Sequence, residues 1–396
     1  MIVLEFKLDG ATAQYAALDD AIRATQFIRN KCLRLWVDGR GVKPYDLNKY
    51  CAILAKEHDV AAKLNSQARQ AAAERAGAAI LRFYKDCRAK KPGTKGYPRF
   101  QKDCRSVEYK QTGWKLDEGR TCLTLTDGFK AGTFRLRGTR DLLGYALGQI
   151  KRVRILRRAD GYYAQFGLDA QRHVAVEPSG TSVGIDLGLT HFYTDSSGGT
   201  VEHPRPLRRS ERALKRLQRR VSSKVKGSKN RAKARGRLGR KHLKVGRQRR
   251  DFAVKTARAL VMSNDVIAYE DLTVANLLKN RHLSTSISDA GWHAFVTWLG
   301  YLAQVYGKVA VAVPPRYTSQ DCSGCGECVT KALSERTHLC PRCHAVLDRD
   351  HNAARNILML GLRRVTETTA GHAESHAWGQ PALCPTGETQ ADKAAG

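Results

Sequence analysis

The chain has 396 residues, room for two or three domains of ordinary size, and 42% hydrophobic residues exclude disorder throughout. Its 69 Lys and Arg against 37 Asp and Glu leave a formal net charge of +32, which excludes an ordinary enzyme of small metabolites and points to a polyanionic partner. The longest apolar runs fall well short of the ~18 residues a transmembrane helix needs, and the opening MIVLEFKLDG has Glu5 inside its only apolar stretch, so a cytoplasmic, nucleoid-associated protein with no membrane partner is expected.

In chain order, residues 1–8 alternate, with Leu4, Phe6 and Leu8 on one face and Glu5 and Lys7 on the other, which predicts a half-buried strand. The period changes over 13–37, where Leu18, Ala21, Ile22, Thr25, Ile28, Cys32 and Leu35 fall within one arc of a helix. An Ala-rich stretch over 58–88 predicts a second helix, stopped by Lys90-Lys91-Pro92-Gly93. Alternation returns over 105–170, in Leu123/Leu125, Phe134/Leu136 and Val153/Ile155, with turn signals at Asp127-Gly128 and Asp160-Gly161. The simplest assembly is a small β-barrel over 1–10 and 96–180, closed by the N-terminal strand, with 11–95 a helical insertion. Beyond Pro178-Ser179-Gly180, strands at 183–187, 191–195, 266–269 and 309–313 and a helix at 289–305 predict an α/β unit with a mixed sheet. Residues 366–396 are polar and small and predict a disordered tail.

Between those strands, residues 205–250 hold 21 Lys or Arg and one acid, Glu211. Leu207, Leu214, Leu217 and Val221 recur as a seam, Gly227-Ser228 breaks it, and Ala234, Leu238 and Val245 resume it. Two antiparallel helices with one apolar seam and cationic outer faces are predicted. A solvated charge run usually mixes signs and this one does not, so phosphate binding is the expected role, with Arg219, Arg220 and Lys224 as representative contacts.

Five of the eleven cysteines crowd between Cys322 and Cys343. Cys322-Ser-Gly-Cys325 and Cys340-Pro-Arg-Cys343 are two C-x2-C knuckles, and two such thiolate pairs close a tetrahedral structural zinc site with no open position. Cys328, His338 and His344 are alternative ligands. Cysteines 32, 51, 87, 104, 122 and 384 are scattered, as small core residues are.

Three acids stand out. In Val183-Gly-Ile-Asp-Leu-Gly188 the alternation puts Asp186 on a face shared only with Gly184 and Gly188. A carboxylate mid-strand is costly unless paired or metal-bound, and flanking glycines would let a metal and a nucleic-acid backbone approach. Glu270 ends the run from Val266 on one face with Val266 and Ala268; Asp271 points the other way. Asp350 opens an apolar helix, with Asp348 its competitor for the capping role. Acids on two strand ends and a helix start, in a very basic chain, suggest two divalent cations that activate water and stabilise the leaving oxygen of a phosphodiester; carboxylates favour Mg²⁺ or Mn²⁺. There is no G-x-x-x-x-G-K-[ST] loop to support ATP-driven chemistry.

At these residues the chain resembles the TnpB family, transposon-encoded RNA-guided DNA endonucleases related to type V CRISPR effectors. The matching stretches are Gly184-Ile-Asp-Leu-Gly188, Tyr269-Glu-Asp-Leu272, Ser286-Ile-Ser-Asp-Ala-Gly-Trp292, Thr318-Ser-Gln-Asp-Cys-Ser-Gly-Cys-Gly326, Cys340-Pro-Arg-Cys343 and Asp348-Arg-Asp-His-Asn-Ala-Ala-Arg-Asn-Ile357, with Gly96-Tyr-Pro-Arg-Phe100 fitting the N-terminal half. The resemblance implies an α/β and β multidomain chain: a RuvC-like RNase H-fold nuclease (181–316 and 346–365) with the acids Asp186, Glu270 and Asp350, and an inserted zinc ribbon (317–345). A wedge β-barrel carrying a helical recognition insertion precedes them. It also implies a guide RNA from the transposon end and cutting of double-stranded target DNA beside a transposon-adjacent motif, with base pairing reading the sequence. Lys63 and Gln67, four apart, fall where the family faces the DNA duplex and are candidates for base-edge contacts, equally an ordinary solvated helix face; Tyr45 and Thr112 are further candidates. Arg99 and Phe100 are candidates to clamp and stack nucleic acid or to finish a hinge. Two other functions remain open: a transposase acting directly on transposon ends, and a cleavage-inactive RNA-guided repressor, which the intact triad disfavours.

Overall fold

The structure, a computed structural model, describes residues 1–39, 41–332 and 335–370. It divides into two compact units, Met1–Gln171 and a second that starts at Arg172. Among the described residues no helix is long and apolar enough to cross a membrane.

In the first unit, strand β1 (Ile2–Asp9) leads into helices α1 (Thr12–Asp38), α2 (Pro44–Glu57), α3 (Asp59–Lys63) and α4 (Ser66–Arg88), and then into strands β2 (Ser106–Tyr109), β3 (Trp114–Leu116), β4 (Cys122–Leu125), β5 (Gly132–Arg137), β6 (Ile150–Arg158) and β7 (Gly161–Leu168). The strand order is β2-β6-β7-β1-β5-β4-β3, a half-barrel. β1 therefore lies at its centre, antiparallel to both β5 and β7, rather than at a seam; alternation reveals which face is buried but not how many neighbours a strand has. Leu4, Phe6 and Leu8 are buried as expected. Ala68, Ala71, Ala72, Ala73 and Ala76 of α4 are buried too, and their small side chains let α4 pack closely on α1 and α2.

The single helix expected over 58–88 is two. Leu64 is extended, and the Asn65 side chain accepts from Gln67 N at 2.9 Å to cap α4, while the Arg69 guanidinium satisfies the open carbonyls of Ala61 and Leu64 at the end of α3 at 3.0 and 2.6 Å. An Asn at a helix start competes with the backbone it interrupts.

The second unit begins with strands β8 (Ser182–Asp186), β9 (His191–Asp195) and β10 (Thr200–Glu202). Helices α5 (Pro206–Ser222) and α6 (Lys229–Ser263), strand β11 (Val266–Glu270) and helices α7 (Val274–Leu277), α8 (Ser284–Ala290) and α9 (Trp292–Val305) follow. The unit ends with strands β12 (Val309–Val313), β13 (Thr337–Leu339) and β14 (Val346–Asp348) and helix α10 (Arg349–Ala370). The main sheet runs β10-β9-β8-β11-β12, with β8, β11 and β12 parallel and β9 antiparallel to β8. Val183, Ile185 and Ile267 pack with Ala257, Phe295 and Leu299 of α6 and α9; α10 covers the opposite face. The helix expected over 289–305 is broken at Gly291, whose φ of 68° is left-handed.

The basic segment folds as its seam predicts: Leu214 and Val221 of α5 are buried with Leu238 and Val245 of α6, flanked by Leu207, Leu217 and Ala234. Residues 366–370 of the expected tail are helical, because α10 continues through Ala370; residues 371–396 of that expectation lie outside the described residues.

Candidate nuclease centre and cysteine cluster

Asp186 and Glu270 come together because β8 and β11 are parallel neighbours. Ile185 pairs with Tyr269, so each acid is the next residue out at the carboxyl end of its strand, where open α/β sheets place their ligands. Gly184 shares a face with Asp186, and Ala268 with Glu270, and α10 crosses both. A Cβ on Gly184 would lie 2.2 Å from the Ala354 carbonyl oxygen, and one on Gly361 would lie 2.4 Å from the Ala268 Cβ. On the Gly184 side of Asp186 the bare face is thus filled by the α10 backbone, not kept open for a metal or nucleic acid. That close crossing brings the start of α10, and Asp350, to the two strand ends.

Asp348 and Asp350 divide their roles. An Asp348 carboxylate oxygen accepts from the backbone of Asp350 at 2.8 Å and of His351 at 3.2 Å, which is the capping function. Asp350 is thereby free to point elsewhere, and its carboxylate meets Arg336 at 3.3 Å and Arg349 at 3.4 Å. Glu270 is buried and accepts from Thr318 Oγ1 at 2.5 Å. Burial, then the charges of Glu270 and Asp350, hold the Asp186 carboxyl well above its usual range. Burial raises Glu270 as well, against the Thr318 hydrogen bond, with Asp350 adding to the rise. Burial is the larger cause in both, and the part that comes from neighbouring charges marks acids delivered to one end of the sheet.

The four expected cysteines converge. Cys322, Cys325, Cys340 and Cys343 have sulfurs all within 4.8 Å of one another, with 3.5 Å between Cys322 and Cys343 and between Cys325 and Cys340. A tetrahedral zinc with bonds near 2.3 Å needs sulfurs about 3.8 Å apart. Backbone amides of Cys343 and Arg342 draw the Cys340 thiol down to about 6, while hydrogen bonds among the crowded sulfurs push Cys325 and Cys343 up. Cys328 is exposed and pairs with Asp321 as an isolated bridge, and His338 is buried against Lys331, so neither joins the four.

Two asparagines of α10 tie this cluster to the acids. Asn352, fully buried, accepts from Ser323 N at 2.9 Å and donates to the Asp321 carbonyl at 2.7 Å. Asn356 donates to the carbonyls of Asp321 and Thr318 at 2.7 and 2.8 Å. Thr318, Asn352 and Asn356 lie within stretches the sequence singled out, but only the fold shows that they link the first knuckle to Glu270.

Asp289 lies in the Ser286–Trp292 stretch, where no local pattern points to a role for it. It is buried and accepts from the backbone of Leu207 and Arg208 at 2.9 and 3.1 Å, capping α5 in place of Arg205, whose φ is 46°. The base of the cationic hairpin is thereby fixed to α8 of the second unit. Arg219, Arg220 and Lys224 are exposed on it.

In the first unit, Lys63 and Gln67 do not share a helix face, since α3 and α4 break between them. Gln67 and Thr112 are in contact: Gln67 Oε1 accepts from the backbone of Gln111 and Thr112 at 2.8 and 3.0 Å, and Thr112 Oγ1 reaches Asn65 at 3.3 Å. Tyr45 is 66% exposed, beneath the Lys49 ammonium. The Arg99 carbonyl is held by Arg29 at 3.1 Å, and the Arg34 guanidinium lies over the exposed Phe100 ring at 5.0 Å.

Comparison with known proteins gives matches across these sites. A family described as "Probable transposase" matches residues 165–281, which include Asp186 and Glu270. One described as "Cas12f1-like, TNB domain" matches 292–357, which include the four cysteines and Asp350. A Streptomyces pristinaespiralis protein named "Putative RNA-guided DNA endonuclease" is 37% identical over 273 residues, 67% of this chain and 66% of the relative. An Escherichia coli K12 protein named "Putative RNA-guided DNA endonuclease InsQ" is 31% identical over 282 residues, 67% of this chain and 68% of the relative. The chain thus matches about two thirds of the length of these relatives. A structure titled "Cryo-EM structure of the Cas12f1-sgRNA-target DNA complex" has the same fold over 85% of this chain and 81% of that one, with a TM-score of 0.53 at 14% identity.

Proposed function

The chain belongs to the TnpB family of RNA-guided DNA endonucleases, and from that premise we propose that it cuts double-stranded DNA beside a short transposon-adjacent motif, at a sequence chosen by an RNA from the transposon end. The observation that carries this reading is the meeting of Asp186, Glu270 and Asp350 from three remote segments, at a cost visible in the raised Asp186 and Glu270 carboxyls. Carboxylate oxygens alone suit hard divalent cations, and a bound cation relieves the repulsion that burial leaves uncompensated. We assign two Mg²⁺ ions, replaceable by Mn²⁺, to these three side chains. When bound, such ions acidify a water and stabilise the leaving oxygen of a phosphodiester.

The chain's own residues keep the acids in place. Thr318 fixes one oxygen of Glu270, Asp348 caps α10 so that Asp350 need not, and Arg336 and Arg349 restrain Asp350. One zinc on Cys322, Cys325, Cys340 and Cys343 closes the ribbon and has a structural role. Phosphate backbones meet the α5–α6 hairpin through Arg219, Arg220, Lys224 and their neighbours. Lys63, Gln67, Tyr45 and Thr112 read the adjacent motif, and Arg99 with Phe100 holds nucleic acid near the recognition helices. A nuclease of this kind acts inside the cell, on the DNA, and the cytoplasm is the compartment this reading assigns to it.

The test is cleavage of a plasmid library, with a randomised flank beside a fixed target, by protein co-expressed with RNA from its own locus. Mg²⁺-dependent cutting that follows the guide, selects a flank and falls at least ~1,000-fold in Asp186→Ala is the expected result. Cutting indifferent to RNA would make the chain a transposase acting directly on DNA, and guide-dependent binding without cutting would make it a repressor.

A further inference from the structure

An aromatic cluster in the first unit is used by none of these roles. The Trp36 ring lies 5.5 Å from Tyr97, 6.0 Å from Tyr84 and 6.3 Å from Phe83, and Phe83 lies 5.3 Å from Tyr97. Trp36 Nε1 donates to the Tyr84 hydroxyl at 3.3 Å, which fixes both rings. Yet the cluster is not core: Tyr97 is 54% exposed, Tyr84 43% and the neighbouring Leu81 55%. A contiguous exposed apolar surface of this kind marks a contact site.

Its surroundings say what it contacts. Lys85 and Arg88, both exposed, line one recess with Leu81, Tyr84 and Ala89, and the acid of this stretch, Asp86, is already taken by Lys91 at 2.5 Å. A face made for a second copy of this chain would be depleted of charge at its centre, whereas cations interleaved with aromatic rings match nucleotides, phosphate to cation and base to ring. Ring faces can receive only bases that are not already stacked in a duplex. The site is also separate from the motif-reading end of the same helix: Gln67 and Tyr84 are 17 residues apart on α4, about 25 Å at 1.5 Å per residue.

We propose that Trp36, Phe83, Tyr84 and Tyr97 form a stacking shelf for unpaired bases of the guide RNA, with Lys85 and Arg88 on its phosphates. RNA is chosen over single-stranded DNA because, on the RNA-guided reading that this proposal rests on, the guide is the one single strand present before any duplex is opened. Trp36 and Phe83 hold the shelf, and Tyr84 and Tyr97 present it.

The full chain is assayed with RNA transcribed from its own locus, measuring affinity across a salt series for wild type, Tyr84→Ala/Tyr97→Ala, Tyr84→Trp/Tyr97→Trp and Lys85→Gln/Arg88→Gln. Because these side chains are exposed, circular dichroism should show every variant folded. The alanine pair should weaken RNA binding roughly 10- to 100-fold with an unchanged salt slope, the tryptophan pair should restore it, and the glutamine pair should flatten the slope. Equal RNA affinity for wild type and the alanine pair overturns the shelf and leaves the RNA-guided reading intact. No RNA binding by wild type overturns both. A loss confined to single-stranded DNA, or a wild-type dimer that the alanine pair turns monomeric in light scattering, reassigns the face and overturns the proposal.

Discussion

The four cysteines and the three acids are assembled in opposite ways. All four cysteines come from one stretch of 22 residues, 322–343, whose two knuckles lie in short turns beside a two-stranded sheet. The acids come from segments about 80 residues apart and meet only because β8 and β11 are neighbours and α10 crosses them. With zinc on the four cysteines, as proposed, a short loop-rich segment with almost no apolar core depends on its metal for structure, whereas the acid centre depends on the whole sheet. The dependence should also run one way. Asn352, Asn356 and Thr318 carry the position of the first knuckle toward Glu270, whereas the four cysteines close on one another through their own two knuckles.

The sharpest way to break that asymmetry is to disturb each side in turn. Cys340→Ser, or zinc removal by mild chelation, is expected to abolish cleavage while RNA affinity changes less than about threefold, because the hairpin has its own seam. Asp186→Ala is expected to abolish cleavage and leave one zinc per chain, measured by mass spectrometry of the native protein. Zinc lost in Asp186→Ala, or cleavage surviving without zinc, would show that the coupling has been read in the wrong direction.

The link itself is tested by Thr318. Replacing it with Val removes the donor to Glu270 but keeps the shape. Loss of a partner that orients a metal ligand typically costs 10- to 100-fold in metal affinity or activity, so the Mg²⁺ concentration for half-maximal cutting should rise by about that factor. Thr318→Ser, which keeps the hydroxyl, should recover most of it. A merely structural role would lower thermal stability in both variants without moving the Mg²⁺ requirement.

A smaller effect is expected at the hairpin. Arg219→Gln, Arg220→Gln and Lys224→Gln together should reduce the slope of log affinity against log salt by about two to three, the value for three phosphate contacts. An unchanged slope would make the run a solvated face.

How far the sequence could be read follows from the same contrast between local and distant. The knuckles, the hairpin seam and the strand before Asp186 were legible because each is written in residues within a few turns of one another. The break between α3 and α4 hides in one Asn inside an Ala-rich run, and it separates Lys63 from Gln67, which sequence placed on one helix. Gly184 stands out in the sequence, but a missing side chain does not say whether helix or ligand fills the space, and here it is the α10 backbone. Asp289 as the distant cap of α5, and Thr318 as the partner of Glu270, join residues 82 and 48 positions apart. No local pattern encodes such pairs.

The last expectation concerns what the acid centre costs the fold without metal. A carboxyl whose proton affinity is higher in the folded chain than in the unfolded one opposes folding while ionised, and that opposition fades as pH falls through the raised value toward the ordinary carboxylate range near 4. Asp186 is such a group, through burial first and then through Glu270 and Asp350. Asp186→Asn removes the charge and keeps the shape. In chelator at neutral pH, the variant should melt a few degrees above wild type, and the gap should close as the pH is lowered toward about 4. Adding Mg²⁺ should raise the wild type and close the gap from the other side, because a ligand that binds only the folded chain stabilises it by mass action. A variant less stable than wild type in chelator would mean that the carboxylate is already compensated within the protein, and that the three acids are held together by more than the strands and the helix crossing that deliver them.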